Sequence, residues 1–454
     1  MAAAVPAVPE PTVNDDLPIY DLWEPRFVNN EVQSTHIERY YPISGLNTSN
    51  TTPIDFQIKG NSDFINLSKA TLTIKGKFRG TLPSTASPST PVDINHRTST
   101  GFSVVNFLPH AMFSFINVTL NDKNIALHEG QYSYRAYLQT ILSSTKTHLE
   151  TLGPLSGWVK DAGSWDGIDP TVNTALASRL QYMQTATKQC VYVIDLQTPL
   201  FQRDKAFLSE VDVRVSLVKN TQPAFYMLHD ATGQVDFQIQ EIYLSVEKIT
   251  FFPDVAMKIE NELKARQLLT YVLDDPRLMT ISIAQGETYF IKDYLTVGHL
   301  PKRIVMAMVE TAAFNGDTTK NCFRFQHFDV SRILLTKNGV EYPTPALVTD
   351  FSTGDYFESY RHLFESLQSA KSPLMPDITL KDFEKGAFIT SWDMSPTQYG
   401  ADDPQMLVNR NSNIKLAINF RTALPAPITL IVMYMLEMRL NINPLRQVTL
   451  ESVL

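Results

Sequence analysis

Two adjacent acid pairs, Asp274-Asp275 and Asp402-Asp403, and a loose trio, Cys322, His327 and Asp329, come nearest to a chemical pattern in this chain. Paired carboxylates cut glycosidic bonds when they face each other across a cleft at a fixed separation. Neighbouring residues on a strand point to opposite faces, and each pair abuts a proline, Pro276 or Pro404. Both pairs are therefore expected in solvated loops. A metal site needs three or four converging ligands. Cys322, His327 and Asp329 fall on a predicted strand, so no metal-ligating set is expected there. The chain holds no Walker loop, dinucleotide fingerprint, His-Glu-x-x-His or Cys-x-x-Cys motif, and no Gly-x-Ser-x-Gly elbow. No catalytic, cofactor-binding or metal residue is assigned, no cofactor is expected, and the chain reads as a non-enzyme.

The bulk properties bound the partners. Lysine and arginine number 39 against 47 acids, a net charge of −8. Nucleic-acid binders need a concentrated basic surface to neutralise phosphates, and no dense basic block occurs, so no specific nucleic-acid binding is expected. Two cysteines, Cys190 and Cys322, in 454 residues exclude a disulfide-rich secreted scaffold; both are expected as buried reduced thiols. The first residues are rich in Ala, Val and Pro but lack a basic start and an unbroken apolar core, so no secretory leader is predicted. Without one, the acceptor triplets at Asn47, Asn50, Asn66 and Asn117 are expected to stay unglycosylated. The most apolar run, residues 424–436, contains Pro425 and Pro427 and is shorter than the roughly 20 residues a spanning helix needs. It is expected to be a buried strand, and no membrane span is predicted. The protein is expected to stay inside a cell, or inside something assembled there.

The elements that must position these side chains are mostly strands. Leu72, Ile74 and Phe78, then Val211, Val213, Val215 and Leu217, then Ile414, Leu416, Ile418 and Phe420 alternate with polar residues. Period two means one buried and one wetter face, as in an antiparallel sandwich. Residues 303–309 are apolar on both faces and predict a central, doubly covered strand. Turns at Asn121-Asp122-Lys123-Asn124 and Lys337-Asn338-Gly339 predict hairpins, because Asn and Gly tolerate positive φ. Short amphipathic helices are expected around Tyr134 to Leu142 and Tyr356 to Leu367, with a third over 171–185.

The chain also repeats itself. Gly60 is followed by Asn61-Ser62-Asp63-Phe64-Ile65, and Gly286, 226 positions on, by Glu287-Thr288-Tyr289-Phe290-Ile291. At the same offset Tyr134-Arg135 falls on Tyr360-Arg361. Two copies of one β-rich unit predict an all-β duplicated sandwich. The expected division is a flexible arm over 1–30, a first unit over 31–252 with an insertion at 144–189, a linker helix over 253–265, and a second unit over 266–454. The insertion, with Trp158 and Trp165, is expected to serve an interface, because loops of that length are usually functional.

The residues resemble one known family. Tyr40-Tyr41-Pro42-Ile43-Ser44, Pro53-Ile54-Asp55-Phe56-Gln57-Ile58 with Gly60, Asn106-Phe107-Leu108 with Phe113-Ser114-Phe115, and Tyr134-Arg135-Ala136-Tyr137-Leu138 carry the likeness in the first half. Leu300-Pro301-Lys302-Arg303, Ala313-Phe314-Asn315-Gly316, and Phe388-Ile389 with Asp393 carry it in the second. In order and spacing over roughly 400 residues, including the Lys160-Asp161 stretch, the chain resembles the double jelly-roll major capsid proteins of Polinton/Maverick elements and adintovirus-like viruses. These are distant structural relatives of the adenovirus hexon.

The resemblance implies two tandem eight-stranded antiparallel jelly rolls, with short helices in the connections and no catalytic residues. It further implies homotrimeric pseudo-hexameric capsomers, tiling an icosahedral shell around a DNA genome in the virion. The implied partners are neighbouring capsomers, penton and minor capsid proteins. Loops such as 144–189 and 343–356 are expected to project outward or lock the trimer. Three rival readings stay open at this stage: a double jelly-roll amidase acting on glycans, a carbohydrate-binding or spike jelly-roll protein, and a capsid gene domesticated by a host.

Overall fold

The computed structural model describes residues 31–46, 52–81, 92–93, 102–125, 130–161, 165–166, 173–175, 178–179, 189–203, 205–229, 234–370, 372, 374–395 and 411–452. The expected arm over 1–30, most of the helix expected over 171–185, the pair Asp402-Asp403, and Asn47 and Asn50 lie outside them.

The first lobe contains β1 (Val32–Tyr40), β2 (Ile54–Ile58), β3 (Phe64–Thr81), β4 (Val92–Asp93), β5 (Phe102–Val104), β6 (Phe113–Leu120), β7 (Lys123–Asn124), β8 (Cys190–Asp195), β9 (Val213–Lys219), β10 (Met227–His229) and β11 (Gln234–Phe251). One sheet runs β1-β11-β3, with β8 and β4 both on β3; a second runs β2-β9-β6-β7, and β5 pairs with β10. The alternating residues read from the sequence form the inside. Leu72, Ile74 and Phe78 of β3 and Leu244 and Val246 of β11 share a core with Val213, Val215 and Leu217 of β9. Gly76 continues the inner row of β3. A Cβ there would meet the Gln238 carbonyl at 2.4 Å and the Phe237 ring at 2.6 Å, so the missing side chain is what admits Phe237 to the core.

The second lobe contains β12 (Leu269–Ile283), β13 (Tyr289–His299), β14 (Arg303–Glu310), β15 (Val330–Lys337), β16 (Val340–Glu341), β17 (Leu347–Val348), β18 (Ile389–Asp393), β19 (Asn411–Phe420), β20 (Ile428–Ile442) and β21 (Val448–Ser452). Its sheets run β12-β20-β14-β18, with β21 also on β20, and β13-β19-β15-β16, with β17 also on β15. The order β1-β11-β3-β8 thus recurs as β12-β20-β14-β18, and β2-β9-β6-β7 as β13-β19-β15-β16. Among the described residues every pairing between these strands is antiparallel. Apart from the short strands β4, β7, β16, β17 and β21 and the β5-β10 pair, consecutive strands alternate between the two facing sheets, which is the double Greek key of a jelly roll. Between the lobes runs the helix Pro253–Arg266, begun by Pro253 in its first turn and ended by Gln267 at φ 63°.

β14 is buried on both faces for all but its end residues, and the apolar run near residue 430 is β20, buried over most of its length. The two hairpin turns also form. Asn121 and Asp122 sit at φ 41° and 66°, and Asn338 and Gly339 at 51° and 84°, the left-handed pair that matches strand twist. No helix among the described residues is long and apolar enough to cross a membrane.

Three local readings are corrected. Gly60 lies between β2 and β3, whereas Gly286 lies between β12 and β13, so these two glycines do not mark equivalent turns. Loop lengths explain the slip: β2 and β13 begin at 54 and 289, but β9 and β19 begin at 213 and 411, so no constant offset aligns the lobes. Tyr134 and Tyr360 do lie on corresponding helices, Tyr132–Ser143 and Phe357–Ser366, each after the hairpin of its lobe.

Asp274-Asp275 is not in a loop. It sits within β12, an edge strand, where proline is tolerated. The alternation sends Asp274 outward to Lys302 at 2.8 Å and Asp275 inward, buried beside Arg277 at 3.0 Å. Cys322, His327 and Asp329 precede β15 rather than sharing a strand, and Phe328 and Asp329 take positive φ of 46° and 52°.

Candidate assembly surfaces

The two lobes meet through aromatic side chains. The helix Tyr132–Ser143 carries Tyr134 and Tyr137 one turn apart, so both face the second lobe. Tyr137 stacks on Phe323 with ring centroids 4.2 Å apart and planes 9° apart. Tyr134 lies parallel to Phe314 at 5.5 Å and meets Phe225 and Phe323 edge-on. All six rings, with Phe325, belong to one buried cluster or pack against it. Burial pushes both tyrosine hydroxyls well above the ordinary phenol range. At its margin Gly316, at φ 93°, passes the backbone of Phe225, where a Cβ would come within 3.2 Å.

The insertion after Ser144 crosses this junction. Its described residues bind within the chain. Lys160 donates to Asp377 at 2.8 Å and pairs with Asp382 at 2.9 Å in the second lobe. Asp166 pairs with Arg324 and accepts from the Asn321 backbone N–H. Trp165 covers Gly386, where a Cβ would stand 2.4 Å from the indole. On the first-lobe side, Asp161 is fully buried against Arg179, and Asn106 donates to it at 2.9 Å.

A third tie lies at the other end. The Arg446 guanidinium donates to the Ser209 carbonyl at 3.0 Å and pairs with Glu260 of the interlobe helix, while Asn121 donates to the Arg446 carbonyl. Tyr271 accepts from the Leu208 backbone N–H. The lobes are therefore joined at several separated points as one block.

The residues read as nearest to chemistry do not converge. His327 and Asp329 border a cleft of about 480 Å³ with Arg324, Glu384 and Lys385. There the His327 ring stacks on Phe351 at 3.7 Å, and its Nδ1 accepts from the Asp329 N–H. Burial holds this imidazole below its usual pKa. Cys322 is fully buried, and burial pushes its thiol far up. Asp275 lies in neither place. Among the described residues no group of three or more His, Cys, Asp and Glu is placed to hold a metal. His110, which the sequence reading passed over, is the most perturbed imidazole: buried beside the Tyr132 hydroxyl at 3.0 Å, it is pushed down to about 4. A histidine within a run of apolar residues was the available signal.

What remains distinctive is the outside. β1 is exposed along almost its whole length, on both faces, with Ile37 at 70% and Tyr41 just beyond it. On the second lobe, Tyr289, Ile291 and Val348 stand outward from the β13-β19-β15 sheet. Sandwich strands ordinarily bury one face and turn polar side chains outward; these strands turn apolar ones outward.

Two sandwiches with one strand order, joined in tandem, make this a double jelly-roll protein. No protein-family model matches the chain. Its structure is similar to a chain in the cryo-EM structure of the Sputnik virophage, with a TM-score of 0.66 and 12% identity over 100% of this chain and 94% of that one. It is also similar to the mavirus major capsid protein, at TM-score 0.56 and 11% identity over 100% and 97% of the two chains. The Faustovirus major capsid protein gives a TM-score of 0.56 at 9% identity, covering 92% of each. In sequence, the chain is 20% identical over 377 residues to the Caenorhabditis elegans protein named "Uncharacterized protein F54H12.2", covering 82% of this chain and 87% of the relative.

Proposed function

We propose that this protein is the major capsid protein of a virus or virus-like element, and that its work is self-assembly. The observation that carries the reading is the rigid tandem of matching lobes. Three copies of such a block present six similar sandwiches, which suits hexagonal packing, and apolar side chains on the flanks supply surfaces for neighbours. Closed symmetric assemblies with large buried interfaces follow from such repetition. The likeness in fold to the mavirus and Faustovirus major capsid proteins supports the same reading.

In this proposal the capsomer is a homotrimer of about 154 kDa, three times 51.2 kDa, tiling an icosahedral shell around a DNA genome. The net negative charge of the chain suits a wall that encloses nucleic acid without gripping it. Penton and minor proteins complete the shell. The place of action is the virion. The 20% identical nematode relative is an animal protein, in keeping with the animal elements and viruses whose capsid proteins the sequence resembles. Light scattering with negative-stain electron microscopy on the purified chain tests the proposal. Three-fold capsomers or particles are expected, and a monomer at all concentrations up to tens of micromolar sinks it.

A further inference from the structure

We propose that the outer face of the second lobe's β13-β19-β15 sheet is a docking surface for a second copy of this chain, and that the matching face of the first lobe is not. The inference deepens the self-assembly reading and rests on it. Strand register places Ile291, Ala417 and Leu334 side by side in one outward row, with the small Ala417 buried between its neighbours and Leu334 half-buried. The next row holds Tyr289, Asn419, Arg332 and Val348. Tyr289 is 48% exposed, Ile291 37% and Val348 61%. Two ion pairs accompany these rows: Lys415 with Asp293 at 2.8 Å, and Arg332, which stands between Asn419 and Val348, with Glu341 at 3.6 Å.

The first lobe has the same strands in the same order but dresses them differently. Its outward row is Asp55, Ser216 and Asn117, followed by Gln57, Arg214 and Thr119. Ser216 donates to Asp55 at 2.5 Å and Arg214 pairs with it at 2.6 Å. Only Phe115 and Val218, half-buried at one end, are apolar there. Fold alone cannot account for the difference, because the fold is shared.

A second copy is the occupant that fits. With strands about 4.8 Å apart and about 3.3 Å per residue, three strands of about eight residues present roughly 380 Å² in projection. That is about half of the ~800 Å² per partner in a standard protein–protein interface, and more than a small ligand or one extended peptide covers. Exposed apolar and aromatic side chains beside paired charges suit such an interface. The charges cancel in pairs, which gives a polyanion no purchase. The ion pairs also satisfy each other before docking, so no lone charge is desolvated.

The test places an acid in the apolar row. Ile291→Glu and Val348→Asp are each expected to raise the concentration for half-assembly at least tenfold by light scattering. Gln57→Glu, on the first lobe's matching face, is expected to change it less than twofold. Melting temperatures confirm that the exposed substitutions leave the fold intact. A Tyr289→Cys thiol reads the face without adding charge: its maleimide labelling should slow at least tenfold on assembly. If the wild-type chain never assembles, the capsid reading itself falls. If it assembles and Ile291→Glu, Val348→Asp and the labelling rate at position 289 are all unaffected, the capsid reading stands and the assignment of this face is overturned.

Discussion

The Tyr137 ring lies flat on Phe323, 4.2 Å between centroids and 9° between planes, and so joins a helix of the first lobe to the segment preceding β15 in the second. Neither residue is near the other in sequence, and both are buried. The pair sits at the centre of the aromatic junction, so its loss opens a cavity between lobes rather than within one.

Tyr137→Ala and Phe323→Ala are each expected to cost about 3–5 kcal/mol, the usual range for truncating a buried aromatic. Their effects should couple by about 0.5–1.5 kcal/mol in a double-mutant cycle. Calorimetry should show the single unfolding transition of the wild type splitting as the lobes uncouple. Additive losses with one sharp transition would remove the junction from its proposed role.

The strap formed by the insertion gives a contrast between two of its ion pairs. Asp161→Ala leaves Arg179 buried without its carboxylate, since both side chains are almost wholly inaccessible. A stranded buried charge costs about 3–5 kcal/mol. Lys160→Met breaks pairs to Asp377 and Asp382 whose lysine is one-third exposed; solvent screening limits that loss to about 1 kcal/mol or less. Denaturant midpoints for the two variants check the ranking.

Acid should weaken the fold through His110. Its imidazole is neutral in the folded state down to about pH 4 because burial disfavours the cation, whereas in the unfolded chain it titrates near 6.5. Between those values the unfolded state binds the extra proton. Stability therefore falls as pH drops from about 6.5 to 4 and stops changing from this source below that. The full effect is about 3 kcal/mol. His110→Gln, which can still reach the Tyr132 hydroxyl, should flatten that part of the pH profile of urea midpoints.

Both thiols should be silent in the native protein. Burial pushes the Cys190 thiol up to about 12 and raises Cys322 well above the usual thiol range, so the Cys190 thiolate fraction at pH 8 is about one in ten thousand. A thiol reagent should find no reactive cysteine before denaturation and two after it. Rapid native reaction would show that one of these sites opens.

Much of the architecture was legible because sandwich strands obey a local rule. The alternation in Val213, Val215 and Leu217, the doubly apolar β14, and the Asn338-Gly339 turn each follow from side-chain period or backbone preference. Where the reading failed, the deciding contact was distant in sequence. Asp275 was taken for a loop acid because proline follows it. It lies on a strand because β12 is an edge strand on which proline keeps its place, a fact set by the order of strands in the sheet, and the strand's alternation turns it inward.

By itself the sequence determined that this chain is a β protein built twice over, because hydrophobic period and turn residues act over a few positions and are written in order. Tertiary structure decided how the two copies differ. Which outward row became apolar depends on register across three strands more than forty residues apart. Whether the insertion reaches a neighbour or ties its own lobes depends on where Lys160 and Asp166 find their carboxylate and guanidinium partners. Those pairings are set by the packing of the whole chain, and no local pattern encodes them.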